Sequence, residues 1–229
     1  MLSAPSSSPG IVLGSPVAFG ADWGEVSIGL AAQTLPKGNR QSIDGSMSIG
    51  LGLGDAREYV GMETTVSIIS LKDSFGDSGA VGTKFHTTLP GRAAFAVGVE
   101  NAVRWGSAKR SRTRPFVAGT KFWDLASAGR GNPLPLSTNV GLIRADSANH
   151  PQDRGALVFG GVAFLPIPEL SLIADWTGYS LNLGISLAPF RTLPVSLTAG
   201  AQNVTERDQG PQFGDQTEFG AGVGYTFRY

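Results

Sequence analysis

The chain has 229 residues, with 18 basic and 18 acidic side chains and no cysteine. Its formal net charge of zero excludes the basic surface of a nucleic-acid-binding protein, and the lack of cysteine excludes disulfides and thiolate metal sites. No apolar run approaches the roughly 18 residues of a membrane-spanning helix. Mean hydropathy is only +0.03, which is compatible with a transmembrane β-barrel because its strands turn only alternate residues to lipid.

The first 22 residues are rich in Ser, Pro and Gly and carry no strand pattern. We predict an irregular arm at residues 1–22, separate from a barrel at residues 23–229. Two placements of the arm are open, outside the lumen or within it as a plug. Met1-Leu2-Ser3-Ala4-Pro5 has neither a basic start nor a continuous apolar stretch, so we expect no signal peptide here and read an exported protein as its mature form.

From residue 23 onward, apolar residues recur with a period of two, which indicates strands and not helices. In the first strand, Val26, Ile28 and Leu30 alternate with small or polar residues. The same alternation predicts about twelve strands, at residues 23–34, 46–53, 59–71, 81–89, 94–105, 116–124, 134–142, 156–165, 170–177, 181–187, 195–201 and 218–229.

The connections between these strands alternate in length. Short turns at Gly54, Pro90, Pro166 and Arg191 alternate with long polar loops at Lys37, Lys72, Gly106, Ala145 and Thr205. Residues 126–133 and the Thr177-Gly178 turn depart from this order. Short turns on one side and long loops on the other are typical of a membrane barrel, whereas a soluble all-β protein has no reason to produce them.

We therefore predict an all-β fold, a single closed antiparallel transmembrane β-barrel of about 12 strands. Unpaired backbone groups cost several kcal/mol each in lipid, so residues 26–32 of the first strand must pair with residues 219–227 of the last. A soluble all-β protein is the alternative. It would scatter the aromatic residues that a barrel places at the two membrane interfaces, which we predict to be Trp23, Trp105, Trp123, Trp176, Tyr225, Phe227 and Tyr229.

The ending Tyr225-Thr226-Phe227-Arg228-Tyr229 resembles the aromatic-terminated last strand of bacterial outer-membrane β-barrels, including porins. This resemblance implies the outer membrane of a Gram-negative-type bacterium. Tyr59-Val60-Gly61-Met62-Glu63 and Ser171-Leu172-Ile173-Ala174-Asp175-Trp176-Thr177-Gly178 are similar to barrel regions of YjbH-type proteins. That second resemblance implies an association with exopolysaccharide secretion.

Charged and polar residues on the non-lipid face of the strands are the candidate functional residues. Charges at membrane depth are costly unless they face a polar interior and find partners. Two readings are open, salt-bridged networks that fill a narrow lumen or opposed charges that line a small aqueous path. The predicted lumen-lining residues are Glu25, Glu63, Lys84, His86, Glu100, Arg104, Lys121, Asp175, Asn182, Gln202 and Arg228.

An outer loop carries four basic residues, Lys109, Arg110, Arg112 and Arg114. Membrane lipid is the expected partner of the barrel. The loop is either simply solvated or holds the phosphates of lipopolysaccharide or an acidic glycan. The sequence leaves open whether envelope proteins bind the barrel and which oligomeric state it adopts.

Catalytic and metal motifs are weak. Gly76-Asp77-Ser78-Gly79 resembles the nucleophile motif of trypsin-like proteases, but no His precedes Ser78. A family of lipid-hydrolysing twelve-stranded barrels needs a His and a Ser on the outer surface, and neither His86, on the lumen face, nor His150, in a loop, fits. We expect no enzyme, no cofactor and no metal site.

The predicted function is a small passive channel for ions or small polar solutes. The alternative is a non-conducting structural component or a component of envelope-polysaccharide secretion. Single-channel conductance separates the two, and a lumen occupied by residues 1–22 would exclude a constitutive pore.

Overall fold

The computed structural model describes residues 8–37, 40–72, 75–125, 134–145, 155–190, 192–205 and 216–229. His150 lies outside these residues. Within them, no helix is long and apolar enough to cross a membrane. A single turn of 3₁₀ helix, Gly106–Arg110, is present between two strands.

Twelve antiparallel strands form one closed barrel, which confirms the predicted fold class. Each strand pairs with its neighbours in sequence, and β1 closes the ring by pairing with β12 from Glu25 opposite Arg228 to Gln33 opposite Gly220. The strands are β1 Glu25–Lys37, β2 Arg40–Gly54, β3 Gly61–Ile68, β4 Gly79–Leu89, β5 Ala93–Trp105, β6 Arg114–Leu125, β7 Leu134–Arg144, β8 Ala156–Ile167, β9 Leu170–Trp176, β10 Leu181–Leu187, β11 Val195–Gln202 and β12 Glu218–Arg228.

The connection between β1 and β2 differs from the sequence prediction. A long polar loop was expected at Lys37, but the pairing of the two strands continues to Lys37 opposite Arg40, so only residues 38 and 39 separate them. The upper parts of these strands are polar because 13-residue and 15-residue strands exceed the roughly 9–11 residues that a bilayer requires. A strand in water needs no apolar face, and the period of two is lost there.

The outer surface of the barrel is apolar around its whole circumference. Every strand exposes at least one large apolar side chain on this surface, which includes Leu30, Leu51, Val66, Phe85, Val97, Val117, Val140, Val162, Leu172, Ile185, Leu197 and Val223. In water such a continuous apolar surface would be costly, whereas in a bilayer it matches the surrounding hydrocarbon. The exterior is therefore the lipid-facing surface of a transmembrane barrel.

Aromatic residues lie near both ends of the barrel. We call the end at which β1 begins and β12 ends the lower end, and the opposite end the upper end. Trp105 and Trp176 are the last residues of β5 and β9, at the upper end. At the lower end, Tyr225 and Phe227 of β12 have ring centroids 6.0 Å apart, and the other predicted aromatics there are Trp23, Trp123 and Tyr229.

The inner surface of β5–β8 is largely apolar, and here the sequence prediction placed one residue on the wrong face. Lys121 was predicted in the lumen, but it lies outside the barrel with its ammonium 4.0 Å from the centre of the Trp123 ring. The opposite face of β6, which carries Phe116 and Ala118, points inward and is buried. Strand β6 has aromatic residues on both faces, so alternation alone could not identify the lipid-facing one.

An arginine at the middle of the lipid-facing band tests this placement. Val223 lies halfway along β12, between Leu30 and Leu197 of the neighbouring strands. We expect Val223→Arg to lower the free energy of unfolding in phosphatidylcholine vesicles by about 2–4 kcal/mol. Phe219→Arg, on the same face nearer the upper end, should cost only about 0–1 kcal/mol because depth sets the penalty. Equal losses in the two variants would contradict the placement.

Candidate functional site

The N-terminal segment, residues 9–24, lies inside the barrel and follows its inner wall. Its backbone is hydrogen-bonded first to β10 and β9, next to β7 and β6, and finally to β4 and β3 before the chain enters β1. It is anchored at the lower end, where the backbone N–H of Trp23 donates to the carbonyl oxygen of Gly54 at 2.7 Å. The segment therefore contacts most of the inner circumference.

Asp175 on β9 accepts more hydrogen bonds from the segment than any other described side chain does. This carboxylate is fully buried, and its Oδ2 accepts the backbone N–H groups of Leu13, Gly14 and Ser15 at 3.2, 2.7 and 3.0 Å. Its Oδ1 accepts the Ser15 hydroxyl. A buried carboxylate without partners would be strongly destabilising. Among the described residues, the segment and not a cation compensates this charge.

Uncharged polar side chains bind the segment at Gly10, before the Asp175 contact, and at Pro16 and Ala18, after it. Asn139 donates from Nδ2 to the Pro16 carbonyl oxygen at 2.8 Å, and the Thr120 hydroxyl accepts the Ala18 N–H at 3.0 Å. The sequence prediction did not include these residues, nor Ser171 and Ser186, which both bond Gly10. Uncharged side chains on the lumen face carry no signal that separates a segment-binding residue from any other.

The last part of the segment, residues 17–21, is bound by Lys84, Glu63 and His86. The Lys84 ammonium donates to the carbonyl oxygens of Val17 and Phe19 at 3.2 and 2.7 Å, and lies 3.6 Å from the Glu63 carboxylate. Glu63 accepts the Ala21 N–H at 2.7 Å. His86 is buried, and its Nε2 donates to the Ala21 carbonyl oxygen at 3.1 Å. All three were predicted to line the lumen, and the structure brings them together on the segment.

An apolar cluster adds to these polar contacts. The buried cluster surrounds Ala18 with Ala94, Ala96, Phe116, Ala118, Ile143 and Phe159, and Phe19 packs against its edge. The ring centroids of Phe19 and Phe122 are 5.7 Å apart. Burial of such groups contributes about 25 cal/mol per Å² of apolar surface, so the apolar wall of β5–β8 stabilises the segment in the lumen.

A glycine on β2 permits the close approach of the segment to the wall at the lower end. A Cβ atom at Gly52 would lie 2.2 Å from the backbone oxygen of Asp22 and 2.5 Å from the carbonyl carbon of Ala21. These are backbone atoms that no rotamer change can move. Any larger residue at position 52 must therefore displace the segment.

Three cavities lie inside the barrel, and residues of the segment line two of them. An upper cavity of about 860 Å³ reaches the upper rim. A middle cavity of about 390 Å³ is lined by Pro16 and Val17 and shares Ser67 and Ile69 with the upper one. A lower cavity of about 430 Å³ is lined by Ile11 and Phe19 and has no lining residue in common with the other two.

The remaining predicted lumen residues pair along the wall and not across an open path. Arg228 and Glu25 of adjacent strands are 3.1 Å apart at the lower end, and Glu100 and Arg114 are 3.5 Å apart. Elsewhere on the inner wall, Arg104 donates to the Ser111 carbonyl oxygen, Asn182 Oδ1 accepts the Asn203 N–H at 3.0 Å, and Gln202 faces Glu218 across the β11–β12 pair.

The basic loop does not form one uniform patch. Lys109 and Arg110 end the 3₁₀ helix, and Arg110 lines the upper cavity. Arg114 turns inward to Glu100, while the carbonyl oxygen of Arg112 accepts Asn101 Nδ2 at 3.4 Å. Binding of lipopolysaccharide phosphates by this loop stays a prediction.

The protease-like motif lies far from the nearest described His. Ser78 is buried, its Oγ is 2.6 Å from the Ser107 Oγ, and it accepts the Ala108 N–H. His86 lies eight residues further along β4, which is roughly 26 Å at the usual rise per residue of a strand. Among the described residues, no group of three or more His, Asp or Glu side chains is placed to hold a metal ion.

The closed ring, the apolar exterior and the occupied interior define a transmembrane β-barrel with its N-terminal segment inside the lumen. Among solved structures, the chain is similar to Neisserial surface protein A at 11% identity, over 90% of this chain and 96% of that chain, with a TM-score of 0.25. A TM-score this low carries no argument about function. No protein-family model and no curated protein matches the chain, so the resemblance to YjbH-type barrels stays a prediction.

Substitution of Asp175 tests how the segment is held. Asp175→Asn removes the charge and leaves one acceptor oxygen where two accept now, so we expect backbone amide hydrogen exchange of residues 13–15 to accelerate by about ten-fold or more. Exchange in the strands should not change. Asp124→Asn is the matched control, because Asp124 pairs with Arg92 at 2.5 Å and has no hydrogen bond to the described residues of the segment. Unchanged exchange in Asp175→Asn would contradict the assigned role.

Proposed function

We propose that the protein is an outer-membrane channel of a Gram-negative-type bacterium that its own N-terminal segment closes. In the resting state, residues 9–24 separate the lower cavity from the upper and middle ones. Displacement of the segment opens a path for ions or small polar solutes. The position of Ile11, Pro16, Val17 and Phe19 between the cavities carries this proposal.

The residues that bind the segment in the closed state line the path in the open state. When the segment leaves, Lys84 and Glu63 still have each other at 3.6 Å, and Asp175 becomes hydrated. Charged groups that line a hydrated path set its ionic preference. In this state, the acidic Glu63, Glu100 and Asp175 are matched by the basic Lys84, Arg104 and Arg114, so the open channel should discriminate only weakly between cations and anions.

The alternative is a barrel that never conducts and acts as a structural or secretion component. The polar contacts and apolar packing of the segment also fit a permanent core. What favours a channel is the chemistry beneath the segment. Lys84 and Glu63 hold the segment, but they would stay paired at 3.6 Å once it had left, and a hydrated path is stable when such paired charges line it.

Planar-bilayer recordings test the proposal with a reversible lock. The chain has no cysteine, so Ala18→Cys with Thr120→Cys introduces one defined pair at a contact where backbone nitrogen and hydroxyl oxygen are 3.0 Å apart. We expect rare openings for the unmodified protein, none for the oxidised double variant, and recovery after reduction. Asp175→Asn should increase the open probability by about ten-fold.

Gly52→Ala provides an independent way to displace the segment, by steric conflict with the Asp22 backbone. It should raise the open probability as Asp175→Asn does. If both folded variants remain silent, the non-conducting alternative is correct. If oxidation of the cysteine pair leaves conductance unchanged, ions pass by a route that the segment does not control.

A further inference from the structure

The upper cavity lies on the side of the lumen away from the segment, and its wall has an unusual composition. The inner faces of β11, β12, β1, β2 and β3 meet there. Apart from the rim, these faces present hydroxyl groups and residues without long side chains, namely Ser196, Thr198, Gly222, Gly224, Gly29, Ala31, Ser46, Ser48 and Ser67.

The strand register places hydroxyl groups opposite glycines. Ser48 is the partner of Gly29 across the β1–β2 pair, and Ser196 is the partner of Gly224 across the β11–β12 pair. A Cβ atom at Gly29 would lie 2.7 Å from Ser48 Oγ, and one at Gly224 would lie 2.8 Å from Ser196 Oγ. The glycines therefore provide both the space of the cavity and the room for these hydroxyls.

Several of these hydroxyls have no hydrogen-bond partner within the described part of the chain. They belong to Ser46, Ser48, Ser67 and Ser196, whereas Thr198 bonds Ser186 at 2.8 Å. Each serine hydroxyl donates one hydrogen bond and accepts up to two. The wall thus presents a two-dimensional array of groups that both donate and accept.

Charge and aromaticity narrow the class of ligand. Asp44 and Arg110 are the ionisable residues of the described lining, they are of opposite sign, and both lie towards the upper rim. Below the rim, an ion would lose hydration against this wall without gaining a countercharge. The described lining contains no aromatic ring on which a nucleobase could stack.

We propose that the upper cavity is a binding site for a neutral polyhydroxylated solute, such as a short oligosaccharide. Sugar hydroxyls donate and accept as serine hydroxyls do, and they carry no charge. The volume of about 860 Å³ falls within the roughly 300–1,000 Å³ of small-molecule sites. No described residue of the N-terminal segment lines the cavity, so binding does not depend on whether that segment moves.

Calorimetric titration of the folded full chain tests this site. The detergent should be lauryldimethylamine oxide, because alkyl maltosides would compete with the ligand. Maltotriose is the neutral probe and inorganic phosphate is the charged one. We expect saturable binding of maltotriose in the millimolar range and no binding of phosphate.

Two variants and one control locate the binding. Ser46→Ala, Ser48→Ala and Ser196→Ala combined should weaken maltotriose binding by about ten-fold or more. Gly224→Val should do the same by filling the cavity beside Ser196, whose Oγ lies 2.8 Å from the new Cβ position, while Ser46 and Ser48 stay in place. The control combines Ser27→Ala with Ser137→Ala, which are inward-facing serines outside the cavity lining, and it should bind as the unmodified protein does.

Three results would overturn the proposal. They are no saturable binding by the folded unmodified protein, equal affinity in the triple variant, and stronger binding of phosphate than of maltotriose. Heat-modifiable migration on gels establishes that each variant is folded. Because channel recordings measure a different property, a failure here leaves the proposed gating intact, and the reverse also holds.

Discussion

Three consecutive backbone amides of the N-terminal segment converge on one buried carboxylate, Asp175, and the interior of the barrel depends on this contact. Strand pairing satisfies the backbone of the wall, but it does nothing for a charge on the inner face. The segment provides the donors for that charge, and in return its own amides find acceptors away from bulk water. The wall and its contents are thus stabilised by the same hydrogen bonds.

This arrangement divides the inner surface into two kinds of wall. Strands β4 to β10, together with Glu63 of β3, carry the charged, amide and apolar side chains that bind the segment, whereas β11, β12, β1, β2 and the upper part of β3 carry mostly glycine, alanine and serine around the upper cavity. The same alternation of apolar and small residues along the sequence produces both. Along β11, β12 and β1 to β3 the small inner residues leave the upper cavity open, whereas along β4 to β10 the segment fills the lumen.

The ring and the lipid-facing side of most strands could be predicted because a period of two has a direct physical cause in a bilayer. The prediction failed where that cause is absent. Residues 40–45 extend into water and lost the alternation, and β6 carries aromatic residues on both faces because its inner face packs against Ala18 and Phe19.

The path of the segment through the lumen could not be predicted from the sequence either. Asp175, Lys84, Glu63 and His86 stood out because charged or titratable groups in a membrane strand need a reason to be there. Asn139 and Thr120 are equally involved, but an amide or a hydroxyl on an inner face is ordinary. Which side chains meet residues 9–24 is decided by how the segment crosses the lumen, and this is a property of the folded barrel.

The segment is covalently continuous with β1 and is fixed to the lower rim where Trp23 bonds Gly54 and Glu25 bonds Asp22. A segment that leaves the lumen therefore stays tethered at the mouth of the barrel. Its return is an intramolecular event with a high effective concentration, so the rate of closure is independent of how many copies of the protein the membrane holds. Each barrel therefore closes at a rate that neighbouring copies do not change.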